Sequence, residues 1–244
     1  MSGDERTWWS PSLGQDMTLA IHGHAGRPIV AFPSQEGRHW DFEGFGMVEA
    51  CSELIEAGRI RIVAVDGIDS QSWTNHGAHP TDRARRHEAY DRYIVDEVVP
   101  FIGAEMGWDT AWAVGASMGA YHAANILFRH PDRFDGLVAM SGIYRLRVFI
   151  GDHMDEAVYF QSPLAYLPNL EDPWYLDRIR RARLAFVVGR GRWEEDMLRD
   201  LDELGPILAS KAIPAIVDYW GHDVDHDWPW WRRMLPYYLD RLGV

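Results

Sequence analysis

Cysteine is almost absent: Cys51 stands alone among 244 residues. A single thiol leaves no intrachain disulfide to form, which weighs against a disulfide-stapled secreted domain. No run of eighteen apolar residues exists to span a bilayer, so no membrane partner is expected. The start, Met1-Ser2-Gly3-Asp4-Glu5-Arg6, lacks a basic stretch followed by an apolar one. No secretion signal is expected there, and a cytoplasmic location is the expectation that follows. Positive charge is also scarce, with 24 Lys and Arg against 37 Asp and Glu and a net charge of −13. Phosphate backbones are bound by clustered cations, so no nucleic-acid partner is expected. Gly/Ser linkers, low-complexity tracts and internal repeats are missing too, leaving residues 1–244 as one expected domain. Tryptophan, by contrast, is abundant at twelve residues. Such rings serve in cores and as walls of apolar pockets, and composition does not decide between the two.

Short apolar runs recur at 17–21, 28–32, 60–65, 111–114, 136–140, 184–188 and 215–219. Several are continuous rather than alternating, as expected of strands buried on both faces of a parallel sheet. Stretches of helical spacing lie between them, at 45–57 (closed by Gly58), 88–106, 118–129, 193–211 and 228–242, with Pro100 and Pro206 as possible breaks. The alternation predicts an α/β fold with a mostly parallel, doubly wound sheet and helices on both faces. Residues 143–177 fit this rhythm poorly and carry Tyr144, Phe149, Tyr159, Phe160, Tyr166, Trp174 and Tyr175. An irregular insertion of that length reads either as a lid or pocket wall, or as a surface loop with its own small cluster.

After the apolar run at 111–114 comes Gly115-Ala116-Ser117-Met118-Gly119, followed by a helical stretch. This is G-x-S-x-G in its required context, strand before and helix after. A sharp strand-to-helix turn holds the serine in a strained conformation, and small residues two positions either side avoid neighbouring backbone. Ser117 is therefore the expected nucleophile, and the Met118 N–H an expected oxyanion donor at the positive end of the helix.

A serine hydroxyl needs a proton acceptor near neutral pH, which histidine supplies. The late segment from Trp220 to Trp231 offers His222 and His226. His226 precedes a helix start with Asp227 as N-cap and Pro229 in the first turn, and is preferred over His222. Their H-x3-H spacing would suit a metal on a continuous helix, but Gly221 and the strand-to-loop context argue against one, so no metal and no cofactor are expected. His22, His24, His122 and His153 read as solvated or hydrogen-bonded structural histidines. The orienting acid should follow the run at 184–188, where Glu194, Glu195 and Asp196 compete; Glu194 is nearest the sheet edge and is preferred. A second oxyanion donor is expected from Ser34 or Gln35, since Pro33 has no N–H. Trp73 and Tyr144 are the expected substrate-contacting rings, although simple packing serves Trp73 equally well.

With these residues assembled, the chain resembles the esterase D-type branch of the α/β-hydrolases, which includes feruloyl esterases, S-formylglutathione hydrolases, siderophore esterases and mycolyltransferases. The resemblance spans about 28–242. It rests on Gly115 to Gly119 followed by Ala123-Ala124, on His130-Pro131-Asp132-Arg133-Phe134 leading to Ser141-Gly142, and on His226-Asp227-Trp228-Pro229-Trp230-Trp231. It implies an α/β-hydrolase fold, with His226 as base. Branch members often carry Asp soon after the strand glycine, whereas here Gly189 is followed by Arg190-Gly191-Arg192. The expected activity is hydrolysis of a small-molecule carboxylic ester through an acyl-enzyme. The alternatives are acyl transfer by the same triad, or a non-catalytic binding protein that kept the fold. The aromatic content suggests an apolar or aromatic acyl or alcohol group.

Overall fold

The structure, a computed structural model, describes residues 3–244. Met1 and Ser2, which begin the stretch read as free of a secretion signal, lie outside the described residues. Eight strands form one sheet: β1 (Asp4–Ser10), β2 (Gln15–His22), β3 (Arg27–Phe32), β4 (Ile60–Val65), β5 (Ala111–Ala116), β6 (Phe134–Met140), β7 (Arg183–Val188) and β8 (Ile216–Tyr219). Their spatial order is β1-β2-β4-β3-β5-β6-β7-β8. The pairs β1/β2 and β2/β4 are antiparallel, and every other pair is parallel. This is the α/β-hydrolase fold, as the sequence led one to expect.

The continuous apolar runs are explained by helices on both faces of the sheet. Along β3, Val30 and Phe32 join one core with Ala120, Ala123, Ala124 and Leu127 of the helix Met118–Arg129. Ile29 and Ala31 point the other way and pack with Met234, Leu235 and Tyr238 of the helix Trp228–Arg241. No helix of the described residues is long and apolar enough to cross a membrane.

Four details depart from the sequence reading. Strand β1 has no apolar run, because most of it is exposed at the sheet edge. The expected helix at 45–57 is three single turns, Asp41–Gly44, Met47–Ala50 and Ser52–Glu56, interrupted where Gly46 turns left-handed at φ 78°. The helix expected at 88–106 begins earlier, as Pro80–Tyr93, and passes through a π-helical turn at Ile94–Val98 into Val99–Met106. Pro100 falls in the first turn of that last piece, where a missing N–H costs nothing. Residues 143–177 form the short helices Arg147–Ile150, Glu156–Tyr159, Pro163–Tyr166 and Pro173–Ile179, packed on the nucleophile helix.

Candidate active site

Ser117 sits between β5 and the helix Met118–Arg129, at φ 57° and ψ −122°. That region is forbidden to most side chains and costs about 1–3 kcal/mol, so the surrounding backbone must enforce it. The enforcement is steric. A Cβ on Gly119 would lie 2.5 Å from the Phe32 carbonyl oxygen and 2.6 Å from that of Pro33, and one on Gly115 would lie 2.3 Å from the backbone of Gly119. Only glycines let β3, β5 and the helix approach this closely. The turn leaves the Ser117 hydroxyl partly exposed at the carboxyl edge of the sheet.

His226 meets it there, with Nε2 2.9 Å from Ser117 Oγ. The other ring nitrogen, Nδ1, lies 3.3 Å from Glu194 Oε2. Asp227 caps the following helix by accepting the Trp228 N–H at 2.7 Å, fixing the chain direction just after the histidine. The edge of Trp231 stands perpendicular to the imidazole at 4.9 Å between ring centroids. Glu194 is fully buried. Its Oε1 accepts the Ser141 hydroxyl at 2.6 Å and the Gly189 N–H at 3.3 Å. Trp231 Nε1 donates to Ser141 Oγ at 3.0 Å, so the serine proton is directed to the carboxylate. A buried carboxylate needs partners on both oxygens, and here Oε1 has two and Oε2 has His226.

The structure thus brings Ser117, His226 and Glu194 together and leaves the rivals outside. Glu195 and Asp196 open the helix Glu195–Ser210 on its exposed side, with Asp196 paired to Arg199. His222 is exposed in the preceding turn. The unusual Gly189-Arg190-Gly191-Arg192 stretch is explained by the base loop crossing over it. A Cβ on Gly189 would lie 2.1 Å from the Val224 carbonyl oxygen. Gly191 N–H donates to that oxygen at 2.9 Å, and the His226 N–H donates to the Arg192 carbonyl at 3.0 Å. Arg192 also grips Asp225 through Nε and Nη2 at 3.0 and 2.7 Å. Acid loop and base loop are therefore one laced unit. Ser141 and Trp231 were missed as supports of the acid, although both lie in the motifs that carry the resemblance.

Met118 opens its helix, where first-turn N–H groups have no helical acceptor. The loop after β3 lies beside it, with the Ser34 hydroxyl donating to the Ala116 carbonyl at 3.2 Å and Gln35 exposed. Both expected substrate rings are buried. Trp73 is fully buried against Met118 and Tyr121, and Tyr144 is buried against Phe186. Tyr144 nonetheless borders a cleft of about 220 Å³ with Leu146, Ile150 and Leu164. The Phe45 and Trp228 rings stack face to face at 4.3 Å, with Trp228 edge-on to Trp231, and Trp193 is 67% exposed beside Glu194. Ile143, Arg145, Arg147 and Val148 of the insertion wall a cleft of about 540 Å³ against Asp196, Arg199, Asp200 and Glu203 of the helix Glu195–Ser210.

A second polar chain is buried behind the nucleophile helix. Asp69 Oδ1 lies 2.9 Å from His122 Nε2, His122 Nδ1 lies 3.0 Å from His87 Nε2, and His87 Nδ1 lies 2.9 Å from Gln161 Oε1. Burial pushes the His87 imidazole down from 6.5 to about 4. Unfolding releases it to its ordinary value, so between those two pH values the unfolded chain binds the extra proton and stability falls as pH is lowered. The expected loss is about 3 kcal/mol from pH 7 to pH 4. Urea unfolding at the two pH values measures it, and His87→Gln should shrink the difference by most of that amount.

Among the described residues, no group of three or more His, Cys, Asp or Glu side chains is placed to hold a metal ion. Comparisons with known proteins place the chain in a family. A family model described as "Putative esterase" matches residues 10–242. Among solved structures, a ferulic acid esterase is similar at a TM-score of 0.74 and 16% identity, covering 98% of this chain and 96% of its own. An S-formylglutathione hydrolase from Agrobacterium tumefaciens is similar at 0.68 and 18%, covering 98% and 95%. The CE1 ferulic acid esterase of Anaeromyces mucronatus, in complex with ferulic acid, is similar at 0.72 and 12%, covering 97% and 89%. At such identities these structures speak for the fold alone. No curated protein matches the sequence.

Proposed function

From the premise that the chain belongs to the esterase family, we propose that it hydrolyses a small-molecule carboxylic ester through Ser117, His226 and Glu194. The observation that carries this reading is the continuous chain from Ser117 Oγ through both nitrogens of His226 to Glu194 Oε2, at 2.9 and 3.3 Å. A neutral imidazole with its hydrogen on Nδ1 donates that hydrogen to Glu194, which leaves the Nε2 lone pair for the serine proton.

In the first half-reaction, Ser117 Oγ bonds to the ester carbonyl carbon as its proton passes to His226 Nε2. The carbonyl electron pair moves to oxygen, and the Met118 N–H with that of Ser34 or Gln35 stabilises the oxyanion. The intermediate collapses by breaking the bond to the alcohol oxygen, which takes the proton from His226. Water then repeats the sequence on the acyl-serine, giving the carboxylic acid and free Ser117. Glu194 stays ionised throughout and stabilises the imidazolium. The insertion 143–177 serves as pocket wall, and the exposed Trp193 with the Phe45–Trp228 stack favours an apolar or aromatic substrate group.

The test is steady-state and pre-steady-state hydrolysis of p-nitrophenyl acetate and butyrate. The expected result is turnover with a burst of p-nitrophenol equal to the enzyme concentration, as an accumulating acyl-enzyme requires. Turnover that depends on an added metal and survives serine modification would overturn the reading.

A further inference from the structure

The buried chain behind the nucleophile helix contains more than packing, and its protons can be assigned by elimination. Arg129 Nη1 lies 2.8 Å from Gln161 Oε1, and a guanidinium only donates, so that amide atom is oxygen. It also accepts from Asn125 Nδ2 at 3.0 Å. His87 Nδ1, 2.9 Å from the same oxygen, must therefore carry a hydrogen. His87 is fully buried and its imidazole is pushed down to about 4, so at neutral pH its Nε2 is bare and accepts. The hydrogen it accepts comes from His122 Nδ1 at 3.0 Å. His122 Nε2 then faces Asp69 Oδ1 at 2.9 Å. Burial works to raise the Asp69 carboxyl, but His122 and the Glu36 N–H outweigh it and hold it below its ordinary value. His122 thus bridges the Asp69 carboxylate on one side and the neutral His87 on the other, with the Arg129–Asp91 pair beyond.

The ends of this pair are what matter. His122 is on the helix Met118–Arg129, which begins with the Met118 N–H. Asp69 Oδ2 accepts the N–H of Glu36 at 3.0 Å. Glu36 stands in the left-handed region at φ 57°, directly after Ser34 and Gln35. One carboxylate thus ties the loop after β3 to the nucleophile helix, and it does so inside the protein, where charge-assisted bonds are not screened. Desolvating such a pair costs several kcal/mol, and a hydrophobic pair of the same shape would hold the fold as well.

We propose that Asp69 and His122 are positioning residues that lock the loop bearing the second oxyanion donor onto the helix bearing the first, so that both N–H groups converge on the reacting carbonyl. The proposal rests on the hydrolase reading above. Removing the tie lets the loop relax around Glu36 and moves one donor off the oxyanion while the rest of the substrate site stays in place. The loss falls on the transition state, which forms a full oxyanion, more than on the bound ester.

The experiment combines variants with a direct readout of the protons. Asp69→Ala is expected to lower kcat about 10- to 100-fold with KM changed less than about threefold. Affinity for a phenylboronic acid, which forms a tetrahedral adduct on Ser117, should fall by the same factor. Asp69→Asn, which keeps an acceptor for Glu36, should recover part of the loss. If Asp69→Ala does not fold, Asp69→Asn is read on the same split of kcat from KM. In wild type, ¹⁵N spectra of the histidines should show a bare His87 Nε2 accepting from His122 Nδ1 at pH 7. A folded variant with wild-type kcat and boronate affinity would overturn the proposal. A wild-type protein that neither turns over esters nor binds the boronate would instead refute the hydrolase reading itself.

Discussion

Ser117→Ala is expected to reduce kcat for p-nitrophenyl esters by about 10⁴- to 10⁶-fold. Removing the hydroxyl removes the nucleophile outright, and only substrate binding and the oxyanion donors remain to act on water. Folding should survive, because the substitution removes only a hydroxyl whose 2.9 Å hydrogen bond to His226 lies at a partly exposed position. The contrast with Ser117→Gly adds a second measurement. Alanine retains the strained backbone at φ 57° and ψ −122°, whereas glycine relieves it. Both variants should be equally inactive, but the glycine variant should unfold at a temperature equal to or above that of the alanine variant. Differential scanning calorimetry of the pair reads the strain stored at the nucleophile. Substantial turnover in either variant would remove Ser117 from the reaction.

Glu194→Gln is expected to be nearly as damaging, at about 10³- to 10⁴-fold in kcat, although the side chain keeps its shape. The reason is the distribution of donors. Oε1 accepts from both Ser141 and Gly189, so a glutamine keeps its carbonyl oxygen there and turns its NH₂ group towards His226. An NH₂ facing Nδ1 drives the ring hydrogen to Nε2, where it meets the serine hydroxyl and leaves nothing to accept the serine proton. Glu195→Gln and Asp196→Asn should change kcat less than about twofold, since both side chains are exposed at a helix start. A larger loss in Asp196→Asn than in Glu194→Gln would reassign the acid.

Much of this architecture is legible in the sequence because its central strands are buried on both faces. The apolar runs ending at Phe32, Val65, Val114, Met140 and Val188 lie within strands, and the run ending at Tyr219 overruns its strand only by Ala215. Strand β1 is not legible because pairing with β2, rather than burial, makes it a strand. The helix Pro80–Tyr93 is obscured for the opposite reason. Its buried side mixes Arg83, His87 and Asp91 with Ala84, Ala89, Tyr90 and Tyr93, which blurs any apolar period. At the site, Ser117 follows from local sterics and His226 from its place before a capped helix. Glu194 follows from chain order together with its closeness to the sheet edge. Its hydrogen bond to Ser141 spans 53 positions, and the Asp69–His122 contact spans the same number, so no local pattern announces either. The burial of Trp73 and Tyr144 was not legible, because a bulky ring near a sheet edge has the same signature in a core as in a pocket.

The most direct measurement is the site of covalent modification by a fluorophosphonate, located by peptide mass spectrometry. The expected result is one adduct per chain on the peptide containing Ser117, with labelling lost in Ser117→Ala and strongly slowed in Glu194→Gln. Modification of another serine, or an unlabelled wild-type protein that still hydrolyses esters, would contradict the assignment of the nucleophile.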